Sequence, residues 1–191
     1  MTLMRIFPTL AALALTGTFA IPLSAQDAPK PSRTTATYGD WTVECYTPDP
    51  VEGQEAAPAQ RCEMQSKVHM KVEDGTSRLI MQMAIGPEGV ESDYWIVFQT
   101  PLNVLLREEV KLILNAPDGV DVELPEPLLS AAYLYCEPTR CLTQDEMTTE
   151  QMNALTETEN TKIRFVGRLG REFILPLSMN GFADARAALN G

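Results

Sequence analysis

Four cysteines, Cys45, Cys62, Cys136 and Cys141, are the side chains of this 191-residue sequence whose chemistry depends most on spacing and surroundings. Cys136 and Cys141 are separated by Glu-Pro-Thr-Arg, a stretch that folds back as a tight turn with Pro138 fixing one backbone angle. Two thiols so placed reach disulfide distance without distorting their neighbours. Cys45 and Cys62 have sixteen residues between them, which argues against structural zinc, whose sites pair close cysteines with two further close ligands. In an oxidising compartment the four form two disulfides. Three connectivities are open, and the local one, Cys45 with Cys62 and Cys136 with Cys141, is favoured.

The other reactive types give weaker signals. His69 is the single histidine and stands between Lys67 and Lys71 on a strand-like stretch, so it reads as a solvated face residue rather than a catalytic base. No Gly-x-Ser-x-Gly elbow supplies a nucleophile for it. Asp118, Asp121 and Glu123 have the alternation of a solvated hairpin edge, not a twelve-residue calcium loop. Asp145, Glu146 and Glu150 suit the start of a helix and its dipole. Methionines 64, 70, 81, 83, 147, 152 and 179 would serve an adaptable binding surface or copper, but the alternation of Met81 with Met83 fits core packing better. There is no glycine-rich phosphate loop and no dinucleotide fingerprint. The expectation is therefore no catalytic residue, no metal and no small-molecule cofactor.

The elements that position these residues begin after a targeting segment. Residues 1–25 carry one basic side chain, Arg5, then an apolar run and the small-residue sequence Leu23-Ser24-Ala25, in the order of a secretory signal peptide. The run is interrupted by Pro8 and Pro22 and is short for a bilayer span, and no later stretch is long enough to cross a membrane. Removing 25 of 191 residues leaves 166, enough for one domain with its own core. Arg5 leaves and no acid does, so the net charge moves from −11 to −12. Such an acidic chain repels nucleic acid and anionic headgroups. The expected location is periplasmic or secreted.

Residues 26–37, rich in Pro, Ser, Thr and Lys, read as a flexible leader, and residues 38–191 as a single domain. Alternation predicts strands over 39–46, 61–72, 78–85, 94–100 and 109–115, the last paired with Val120, Val122 and Leu124 across Ala116-Pro117-Asp118-Gly119. Residues 128–136 add a strand, and turns every eight to twelve residues indicate an all-β sandwich or barrel. One short helix is expected within 143–158, capped by Thr143 with Glu146 or starting a turn later at Thr148. Strands over 162–167 and 172–177 and a short C-terminal helix within 180–189 complete the chain. The proline-rich loop 47–60 is the best place for a partner contact.

Several of these features recur together. Tyr38-Gly39-Asp40-Trp41-x-Val43-x-Cys45, Cys62-Glu63, Cys136-x4-Cys141 before a polar helix, and Pro176-Leu177-Ser178-x-x-Gly181-Phe182-x-x-Ala185 followed by Ala188 and Leu189 resemble the invasion-associated locus B (IalB) family over nearly all of residues 38–189. The resemblance implies an exported bacterial protein, a β-rich fold, no established catalytic activity and a role in host-cell invasion. It singles out Trp41, Gly181 and Phe182 as structural or interaction residues. It also marks a departure at Asn103, which stands where similar chains have the glycine of Pro-Leu-Gly-Val; asparagine tolerates positive φ, so a turn survives there. The reading that results is an envelope protein acting by binding an unknown protein partner. The rivals are a small periplasmic hydrolase using His69 and a chaperone or inhibitor-like module.

Overall fold

The computed structural model describes residues 33–48, 59–71, 75–87, 93–118 and 123–189. The expected signal peptide, most of the 47–60 loop, Asp121 and the Val120–Val122 segment lie outside the described residues. In chain order the elements are β1 (Arg33–Tyr38), β2 (Trp41–Tyr46), β3 (Arg61–Lys71), β4 (Ser77–Pro87), β5 (Tyr94–Thr100), β6 (Val110–Leu114), β7 (Leu129–Ala131), β8 (Tyr133–Cys136), β9 (Cys141–Met147), α1 (Thr149–Glu157), β10 (Thr161–Val166), β11 (Glu172–Leu177) and α2 (Phe182–Leu189). They form a seven-stranded antiparallel sheet in the order β1-β2-β3-β4-β5-β9-β8 and a four-stranded one in the order β11-β10-β6-β7. This is an all-β, sandwich-like fold with two short helices, as the turn spacing predicts.

Register turns the alternation into a core. One row crosses the large sheet through Trp41, Ser66, Met83, Phe98 and Thr143, all buried. A second runs Val43, Met64, Ile85 and Ile96. Leu112, Ile163, Phe165, Leu175 and Leu177 of the small sheet join the same apolar cluster, with Met152 and Leu155 of α1 and Phe182, Ala185 and Leu189 of α2. Met64, Met81, Met83, Met147 and Met152 are all buried in it, so these thioethers are packing residues.

Four expectations need correction. The leader cannot extend to residue 37, because Arg33–Tyr38 is β1, paired residue by residue with β2. Five of its six residues are exposed, so no apolar period marks it; main-chain hydrogen bonds and β-branched threonines hold it. The helix does not start at Thr143, which lies in β9 with its Oγ1 accepting from the Phe98 N–H at 3.3 Å. Thr148 is the N-cap, in a reciprocal box with Gln151. Residues 128–136 are not one strand, since β7 belongs to the small sheet and β8 to the large one. Finally, β6 pairs with β10 and β7 rather than with a strand reaching Leu124.

Candidate functional site

Trp41, Gly181 and Phe182, 140 or more positions apart in part, are brought together where the β1–β2 turn meets the connection from β11 to α2. The indole N–H of Trp41 donates to the Ser178 carbonyl at 2.8 Å, and its ring meets Phe182 edge to face at 4.9 Å. Asp40 donates its main-chain N–H to the Asn180 carbonyl at 3.0 Å and accepts from the Ser178 hydroxyl at 2.6 Å. Gly39 and Gly181 both take positive φ, +56° and +83°. The backbones are so close that a Cβ at Gly39 would stand 2.5 Å from the Asn180 carbonyl oxygen. Trp41 is fully buried and Phe182 nearly so, so these two side chains pack where the two ends of the domain meet and do not face solvent. Asn180 belongs to the same clasp, and sequence reasoning missed it because its contribution is largely a main-chain carbonyl.

Asn103 is placed elsewhere. Its carbonyl accepts from the Arg168 N–H at 2.9 Å, beside the Val104–Gly167 bridge. It does not take positive φ; among the described non-glycine residues that conformation belongs to Asn115. The positive-φ turn expected at Asn103 is therefore corrected to an ordinary turn held by the β10–β11 connection.

The chemistry candidates are likewise accounted for. Cys45 is joined to Cys62 and Cys136 to Cys141. Each pair sits directly opposite in its ladder, with Cα atoms 4.0 and 3.9 Å apart, the close spacing of non-hydrogen-bonded antiparallel partners. His69 is exposed at a register shift between β3 and β4, opposite Leu79. It shares a shallow groove with Asp40 and Ser178, the three residue types of a hydrolytic triad. Their order is wrong for that chemistry, because the Ser178 hydroxyl donates to Asp40 directly and not to an imidazole. Asp118 is exposed and pairs with Lys162 Nζ at 3.1 Å. Among the described residues no group of three His, Cys, Asp or Glu side chains is placed to hold a metal ion, and no helix is long and apolar enough to cross a membrane.

What the framework does present is an edge. β8 ends the large sheet, and Leu134 and Tyr135 on it are 59% and 55% exposed. The strand is pinned at its end by the Cys136–Cys141 bridge, and beside it Arg140 donates to Glu137 at 2.7 Å and to Gln99 at 2.6 Å. The aromatic alternation Tyr133-Leu134-Tyr135 is visible in the sequence, but not that it lies at a sheet boundary.

Residues 41–190 match the family model described as "Invasion associated locus B (IalB) protein". Among solved structures the chain is similar to invasion associated protein B from Bartonella henselae, with a TM-score of 0.58 and 19% sequence identity over 82% of this chain and 95% of that one. At that identity the likeness is one of fold. No curated protein matches.

Proposed function

The chain belongs to the invasion-associated locus B family, and from that premise we propose an exported, non-catalytic envelope protein that acts by binding another protein, with host-cell contact as the setting the family's name suggests. Both disulfides being closed supports export to the periplasm or beyond, since cytosolic thiols are kept reduced. The polar groups nearest to a catalytic set, Ser178 and Asp40, are engaged in the clasp.

The observation that carries the binding reading is the edge of β8. An edge strand presents unpaired main-chain donors and acceptors, a template on which an extended partner segment adds as a further strand. Leu134 and Tyr135 give that edge apolar side chains, and the adjacent bridge holds it in place. A photo-reactive residue at position 135, introduced into the full chain in intact cells and followed by mass spectrometry, tests this. One defined protein should be captured, and Leu134→Lys should abolish the capture by placing a charge on the edge. Capture of many unfolded chains would point to a chaperone instead, and equal capture by Leu134→Lys would remove β8 from the interface.

A further inference from the structure

The outer face of the large sheet carries a second, different surface. Alternation along β5 buries Ile96 and Phe98 in the core and sends Trp95, Val97 and Gln99 to the opposite side. Register then sets Trp95 opposite Gly86, Val97 opposite Ala84, and Gln99 opposite Gln82. Glu63 and Gln65 of β3 and Tyr46 of β2 continue the same face. Together Tyr46, Arg61, Glu63, Trp95, Val97 and Gln144 line a groove of ≈ 790 Å³.

The glycine explains the position of the indole. A Cβ on Gly86 would stand 2.5 Å from Cζ2, 2.6 Å from Cε2 and 2.9 Å from Nε1 of Trp95. Those distances put the methyl out of the indole plane, against the Nε1–Cε2–Cζ2 edge of the ring. That edge of the ring therefore packs over Gly86, and the half-buried indole lines the groove.

Around it the polar groups are planar and already oriented. Gln82 donates its side-chain amide to Gln65 Oε1 at 2.7 Å, and Gln65 donates in turn to Glu63 Oε1. Charge in the neighbourhood is mixed, with Arg33 paired to Glu44 at 2.7 Å, Arg61 and Glu63 both lining the groove and Glu146 directly opposite Trp95. The whole chain carries −11 and repels polyanions.

We propose that this groove binds an uncharged oligosaccharide of flat, equatorially substituted pyranoses, one ring stacked on Trp95 and its hydroxyls hydrogen-bonded by Glu63 and Gln144. A pyranose of that kind has an apolar C–H face, which suits an aromatic ring, and a rim of hydroxyls that both donate and accept, which suits amides and a carboxylate. The groove's volume is that of a small-ligand site, and its mixed charge with acidic groups around Trp95 suits a neutral oligosaccharide better than a polyanion. A protein strand would need a free sheet edge, whereas the strands under this groove are paired on both sides.

The test uses the mature chain with both disulfides closed and three probes: the β-1,4-linked hexamers of N-acetylglucosamine and of glucose, and a heparin fragment. Binding is read by calorimetry and by quenching of tryptophan emission. The chain has two tryptophans and Trp41 is fully buried, so protection from an added quencher reports Trp95. At least one neutral hexamer should saturate the protein and shield Trp95, and Trp95→Ala should weaken binding about tenfold or more. Gln144→Ala, which leaves the indole on Gly86, should weaken it severalfold at an unchanged melting temperature. The proposal falls if neither neutral hexamer binds at millimolar concentration, if heparin binds better than both, or if neither substitution alters affinity. It also falls if cross-linking at Trp95 captures a protein while both sugars fail. The β8 reading is tested at another surface, so either can fail alone.

Discussion

The carbonyl oxygen of Tyr38 lies 2.1 Å from the point where a Cβ on Gly181 would stand. With φ at +83°, Gly181 meets both a conformational and a steric requirement for glycine, and it meets them where the β1–β2 turn closes onto the start of α2. Gly181→Ala should therefore destabilise the domain by about 3 kcal/mol or more, because the backbone itself must move. Gly170 has nearly the same φ, +80°, but nothing within 4 Å of its missing Cβ. Gly170→Ala should cost only about 1 kcal/mol. Denaturant melts of the two variants decide the matter: equal losses would mean that the close approach to Tyr38 contributes nothing.

The two bridges close loops of different length, with sequence separations of 17 and 5. Loop-closure entropy assigns about 3 kcal/mol to Cys45–Cys62 and about 2 kcal/mol to Cys136–Cys141. Replacing both cysteines of a pair by serine should lower stability in that order. An unchanged melting temperature for Cys136→Ser with Cys141→Ser would show that the β8–β9 hairpin needs no covalent tie.

Much of the sheet was legible because one face of each central strand is buried and the other is not. Tyr94–Thr100 alternates without a break, and that pattern gives the boundaries the structure has. β1 was not legible, since a strand held only by its neighbour's main chain leaves no apolar period. The passage of the chain from one sheet to the other at Ala132 is not legible either, because β7 and β8 look locally like one strand and only long-range pairing separates them. Of the candidate residues, Trp41, Gly181 and Phe182 are visible as a set, but only the burial of Trp41 and Phe182 and the close approach of Gly181 to Tyr38 show that they join the ends of the domain. Trp95 was hidden by the same alternation that revealed its strand, because the pattern identifies the core side and says nothing of use on the other.

Two capping boxes compete in the sequence, Thr143 with Glu146 and Thr148 with Gln151. Burial of Thr143 in β9 settles the competition in favour of the second. Gln151 donates its backbone N–H to Thr148 Oγ1 at 3.2 Å, and the Thr148 N–H donates to Gln151 Oε1 at 2.9 Å. Thr148→Ala should cost about 1 kcal/mol, while Glu146→Ala, on an exposed strand position, should stay within about 0.5 kcal/mol of the parent. A larger loss for Glu146→Ala than for Thr148→Ala would place the helix start in the wrong turn.

Glu63 gives a pH signature. Burial pushes its carboxyl above the ordinary carboxylate range, and Glu44, directly opposite in the β2–β3 ladder, adds to the rise, while the hydrogen bond from Gln65 and the charge of Arg33 pull it back. A group that holds its proton more tightly when folded stabilises the fold fully below its unfolded value, about 4.3 for glutamate, and that contribution is lost as pH rises through the folded value. At neutral pH the ionised carboxylate is thus a net cost to the folded chain. Glu63→Gln keeps the shape and removes the charge, so it should raise the melting temperature at pH 7, and the gain should shrink toward zero below about pH 4. Thermal melts across that range read the slope directly. A variant less stable than the parent at neutral pH would mean that Arg33 and Gln65 outweigh burial, and the outer face would then rest on an ionised Glu63.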